Sequence, residues 1–105
     1  MKKLTFLIVL LVSAMTLSAT IPKSVASDIK KTALKKWGTD FSMVKYAIKK
    51  QTAAYEKLTS YRWNSKVPVK IRKAILADAR KAWGTDYHMV LYIVNKQQDA
   101  YISIN

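Results

Sequence analysis

Residues 22–55 and 68–101 match each other along 34 consecutive positions, and this repeat limits the folds open to the chain more than any other feature. At an offset of 46 the two stretches share 15 identities without a gap. Pro22 falls on Pro68, Ile29 on Ile75, Ala33 on Ala79 and Lys35 on Lys81. Trp37-Gly38-Thr39-Asp40 falls on Trp83-Gly84-Thr85-Asp86, Met43-Val44 on Met89-Val90, and Tyr46 on Tyr92. Lys50-Gln51 falls on Lys96-Gln97, and Ala54-Tyr55 on Ala100-Tyr101. Chance would supply only about two or three such matches, so the chain reads as an internal duplication.

Each copy reads as a helical hairpin. In the first helix the apolar positions are Val25, Ile29, Ala33 and Trp37, repeated as Ile71, Ile75, Ala79 and Trp83. Steps of four residues hold such positions on one helix face. Pro22 and Pro68 suit a first helical turn, and Gly38 and Gly84 suit a left-handed helix end. Thr39 and Thr85 are then expected to cap the second helix, with Asp40 and Asp86 in its first turn beside the positive end of the dipole. The second helix alternates apolar steps of three and four, through Phe41, Val44, Ile48, Gln51, Tyr55 and Leu58, and again through Tyr87, Val90, Val94, Gln97, Tyr101 and Ile104. Met43, Ala47 and Ala54 widen the stripe, as do Met89, Ile93 and Ala100. Neither hairpin can bury such a stripe alone. The expected fold is all-α: two tandem helical hairpins packed as a small four-helix domain. Residues 20–59 form the first hairpin repeat, 60–67 the connector and 68–105 the second repeat. Two copies are too few for an extended solenoid.

The chain begins with Met1-Lys2-Lys3, and Leu4 to Leu17 is apolar apart from Thr5, Ser13 and Thr16. That stretch has the length of a signal-peptide core and is short for a membrane span. Residues 1–19 are read as a signal peptide cut after Ala19, with a cut after Ala26 as the alternative. The style of the segment is bacterial, and the protein is expected to be exported, either periplasmic or secreted. Lys2 and Lys3 are the only charges in 1–19, so the remainder carries 17 basic and 6 acidic side chains, net +11. There is no Cys, one His and one Glu. This excludes disulfides, thiolate metal sites and thiol chemistry, and leaves little for acid–base catalysis. No nucleophile–base pair, carboxylate dyad, phosphate-cradling glycine loop or metal-ligand spacing is present, so no enzyme, cofactor, metal site or small-molecule substrate is expected.

Trp37 and Trp83 offer aromatic faces to a ligand, although their place on the apolar stripe also suits them to plug the hairpin corners. Gln51 and Gln97 interrupt the seam at one place, where a polar group pins register or meets its counterpart. His88 has no repeat partner and reads as a solvated first-turn residue. Tyr46 and Lys50 lie off the apolar stripe, and the pair recurs as Tyr92 and Lys96; Lys35 and Lys81 likewise lie off theirs. Core packing does not explain these six repeated residues, whereas a partner-contacting face or residual ancestry does. The candidate binding residues are therefore Lys35, Tyr46, Lys50, Lys81, Tyr92, Lys96, Trp37 and Trp83.

Charge is uneven. Three helices are rich in lysine and arginine, while the fourth keeps only Lys96 and replaces Lys45 with Leu91. The fourth helix is expected to be the most buried, or an interface. Positive potential on the other three attracts polyanions and weakens with salt. The leading expectation is a non-enzymatic module that binds an anionic cell-envelope polymer or membrane surface. The alternative is a protein-interaction module, an inhibitor of an acidic exported enzyme or an assembly subunit. It would use the fourth helix (Leu91, Tyr92) or the connector (Tyr61, Arg62, Trp63), and a homo-oligomer falls in the same class. A membrane-active antimicrobial protein is the third reading.

Overall fold

The structure, a computed structural model, describes residues 21–105. The segment read as an export signal lies outside them. Four helices follow in order: α1 Lys23–Trp37, α2 Phe41–Thr59, α3 Val69–Trp83 and α4 Tyr87–Ile104. No strand occurs among the described residues. The described residues are thus all-helical, as expected, and consistent with a small four-helix domain.

The two hairpin corners share one geometry, and it differs in detail from the sequence expectation. Pro22 and Pro68 stand one residue before their helices, with ψ of 145° and 151°. Their carbonyls accept the first intrahelical bonds, from Ala26 and from Ile71 and Arg72. At the other end Gly38 and Gly84 have φ of 57° and 56° with ψ of −117° and −114°. These are the angles of the first central residue in a type II′ turn, not of a left-handed helical cap. The turns close with Asp40 N donating to Trp37 O and Asp86 N to Trp83 O, both at 3.0 Å. Because Gly38-Thr39 and Gly84-Thr85 are consumed as the central residues, the cap passes one position on. Asp40 Oδ1 accepts from Met43 N and Asp86 Oδ1 from Met89 N, each at 3.2 Å, so the aspartates cap the helices and the threonines do not.

A Cβ built on either glycine meets nothing within 4 Å, so substitution there strains only the backbone. Gly38→Ala and Gly84→Ala should each destabilise the fold by about 1 to 3 kcal/mol in urea unfolding. A change below about 0.5 kcal/mol, the ordinary surface range, would remove the II′ turn as the reason for glycine here.

The helices touch in a row, with α1 against α2, α2 against α4 and α4 against α3. The two second helices form the middle and the two first helices the edges. Among the described helices, α1 and α3 make no close backbone approach to each other or to a helix of the other hairpin, so the four helices spread in one layer. It is a flat slab with two linked cores. In one, Ile29, Ala54 and Tyr87 are buried, with Val25, Ile48, Tyr55, Leu58 and Leu91 around them. In the other, Ala79, Val90 and Val94 are buried, with Leu58, Tyr61, Trp63, Ile75, Leu76 and Ile93 around them. Leu58 belongs to both and joins them.

The halves dock, but not symmetrically. Gln51 meets Asp86 and His88, Tyr55 meets Tyr87, Tyr61 meets Asn95 and Gln98, and Asn64 meets Gln98. Positions rise together along both segments, so α2 and α4 run side by side in one direction, with the start of α4 beside the middle of α2. Consequently the two stripes are unequally buried. Phe41, Trp83, Gln97, Ala100 and Ile104, all expected on the packed faces, are exposed. Helix α4, with Tyr87, Val90 and Val94 buried, has the most buried residues of the four, in line with its low charge.

Candidate functional site

The offset docking leaves a cleft of about 230 Å³ where the corner of the second hairpin meets the body of the first. Its lining includes Asp28, Lys36, Trp37 and Gln51 from the first hairpin and Trp83, Thr85, Asp86 and Tyr87 from the second. The two tryptophans, 46 residues apart, thereby reach one cavity. Trp37 is half-buried and Trp83 is exposed, so neither is a sealed corner plug. Lys36 Nζ lies 5.5 Å from the Trp37 ring centroid, within cation–π range. The space is smaller than a drug-sized pocket and suits a single ring or an anionic group.

Gln51 forms the cleft's polar floor. Its Nε2 donates to Asp86 Oδ1 at 2.9 Å, and its Oε1 accepts from His88 N at 3.3 Å. The expected register-fixing role is thus carried by Gln51 on the opposite corner and not by a Gln51–Gln97 pair, since Gln97 is exposed. Asp86 holds both its own helix end and the neighbouring hairpin, whereas Asp40 bonds only Met43 N and Ser42 Oγ nearby. Asp86→Ala should therefore cost about 2 kcal/mol and Asp40→Ala about 1 kcal/mol in chemical denaturation. Equal losses would mean that the Gln51 bond contributes nothing.

Burial pushes the Tyr87 hydroxyl above its ordinary range; Tyr55 and Asp28 add to this, and Arg80 opposes it. The Tyr61 hydroxyl is also raised, by burial first and then by the charge of Asp99. In both cases the neutral phenol is favoured, so neither tyrosine acts as an anion at neutral pH.

The remaining candidate residues do not gather into one site. Lys35 on α1 and Lys81 on α3 are exposed at opposite edges of the slab. Tyr46 and Tyr92 are both more than half exposed. Lys50 Nζ lies 5.6 Å from the Tyr46 ring centroid, while Tyr92 and Lys96 make no such contact. Of the eight, only Trp37 and Trp83 converge; the other six are distributed over the surface. Every lysine of the described residues is exposed, and no charged side chain is buried.

The connector is folded into the molecule. Tyr61 and Trp63 stack edge to face at 4.8 Å and pack on the second core. The Tyr61 hydroxyl donates to Asn95 Oδ1 and accepts from Gln98 Nε2, and Asn64 N donates to Gln98 Oε1. Arg72 Nε donates to Val67 O at 2.7 Å, and Val67 is fully buried. Leu91 packs on the first core. Of the residues read as partner contacts, Tyr61, Trp63 and Leu91 serve the interior, and Arg62 and Tyr92 remain exposed.

Among the described residues no three His, Cys, Asp or Glu side chains gather to hold a metal ion, and no helix is long and apolar enough to cross a membrane. Compared with protein-family models, with curated proteins and with solved structures, the chain finds no match.

Proposed function

We propose that this protein is an exported, duplicated helical-hairpin module that binds an anionic polymer of the cell envelope and catalyses no reaction. One observation carries the reading: 17 basic side chains against 6 acidic ones lie on a flat scaffold that buries no charge. A slab exposes more surface per residue than a sphere, and here that surface is positive on both edges. Such a field concentrates polyanions at long range and holds them by releasing their counterions. Exposed Tyr46 beside Lys50, and Trp37 beside Lys36, add faces on which rings of a polymer can stack.

Export rests on the first 19 residues. A cut after Ala26 would fall inside α1 and remove Val25 from the first core, whereas a cut after Ala19 leaves the four described helices whole. N-terminal sequencing of the protein from its host should begin Thr20-Ile21-Pro22.

Co-sedimentation with purified anionic wall polymer over a salt series tests the binding. Retention at low salt and release as salt rises are expected, with the logarithm of affinity falling linearly against that of salt. Absence of retention at low salt would overturn the proposal. Retention on anionic vesicles alone would move the target to the membrane surface.

A further inference from the structure

The contact between the hairpins uses one face of each, and the repeat-equivalent residues on their far sides are exposed except Tyr101, which is half-buried. Its receiving side on the first hairpin is Gln51, Ala54, Tyr55 and Leu58; its inserting side on the second is Asp86, Tyr87 and Leu91. Shifted by the repeat length, the same receiving side recurs on α4 as Gln97, Ala100, Tyr101 and Ile104. The same inserting side recurs at the first corner as Asp40, Phe41 and Lys45. The burial contrast is large. Ala54 is 3% exposed but Ala100 is exposed; Tyr87 is 9% exposed but Phe41 is 66%; Leu58 is half-buried but Ile104 is 81% exposed.

From this we infer that a second copy of the chain docks head to tail, its Phe41 corner seated on Gln97, Ala100, Tyr101 and Ile104 of the first. The occupant is set by the interface already present within the chain. A contact in which position i meets j, while j does not meet i, is heterologous and leaves both ends free to repeat it. A twofold dimer would instead have returned Gln97 to Asp40. Charge fits the same occupant. Beyond Lys96, α4 carries Asp99 and no cation, and the incoming corner carries Lys45 and Lys49 where the internal contact has Leu91 and Asn95. Each added copy rebuilds the tryptophan cleft, from Trp83 of one chain and Trp37 of the next. The loss of Leu91 makes this contact weaker than the internal one, and net repulsion between copies opposes it. Self-association therefore strengthens as salt rises, the reverse of polymer binding, so the two readings fail independently.

Sedimentation velocity of the purified protein at low and high salt reads this directly. Concentration-dependent species heavier than the monomer are expected at high salt. Phe41→Glu should weaken them about thirtyfold, as for a central aromatic contact, with the helical circular dichroism unchanged. Polarity is tested by cysteine pairing, since the chain has no native cysteine. Phe41→Cys mixed with Ala100→Cys should form disulfide-linked dimers, and either variant alone should not. A monomer at every salt and concentration would overturn the inference, as would equal crosslinking of Phe41→Cys with itself.

Discussion

Tyr87→Ala is expected to destabilise the protein by about 3 to 5 kcal/mol, the range for truncating a large aromatic residue in a core. Tyr87 is buried with Ile29 and Ala54, and its ring meets that of Tyr55 edge-on with centroids 5.0 Å apart. It is the first residue of α4 and the side chain that fastens the second hairpin to the first. A small domain has about 5 to 10 kcal/mol in total, so the variant should lose about a third of its stability or more. Tyr87→Phe keeps the ring and should stay within about 1.5 kcal/mol. Phe41→Ala removes the equivalent residue of the first repeat, which is mostly exposed, and should change the monomer by no more than about 0.5 kcal/mol. Urea unfolding followed by circular dichroism, at concentrations where the chain is monomeric, compares the three. A Tyr87→Ala loss as small as that of Phe41→Ala would show that the hairpins are held by something other than this core.

The repeat made the helices legible, because its apolar spacings of three and four residues have a single regular explanation. It also located both corners, since Trp-Gly-Thr-Asp recurs where each hairpin turns. The caps lie one residue beyond the threonines that the repeat suggests: Gly38 and Gly84 adopt II′ angles, and the turn then needs Thr39 or Thr85 as its second central residue. The deeper limit was the relation between the halves. Two copies with equal patterns suggest equal environments, yet parallel, offset docking gives Tyr87 a buried place and Phe41 an exposed one. Nothing in a 46-residue period distinguishes a rotated partner from a displaced one. The signal lay in the mismatches: Leu91 against Lys45, and Leu76 against Lys30, place apolar side chains where only the second repeat packs inward. Tyr61 and Trp63 stand in a polar connector, a composition that points to the surface, but Asn95 and Gln98 supply the hydrogen bonds that let that connector pack on α4.

Of the expected functional effects, the largest belongs to the lysines that recur at matched positions. Lys35, Lys50, Lys81 and Lys96 are all exposed and outside both cores, so changing them together to glutamine should leave the fold intact. If they contact an anionic polymer, the salt slope of binding should fall by about 3, and affinity at low salt by about a hundredfold or more. Net charge alone would produce part of that loss. A second variant separates the two effects: Lys30, Lys45, Lys57 and Lys70 are also exposed, and none has a basic residue at its repeat position. Changing these four removes the same charge from positions the repeat does not share. A face shaped for a polymer predicts a clearly larger loss in the first variant. Equal losses would mean that the matched lysines are only inherited and that attraction is spread over the whole slab. Loss in neither variant, measured on the same wall polymer at the same salt, would leave the positive surface without a role in binding it.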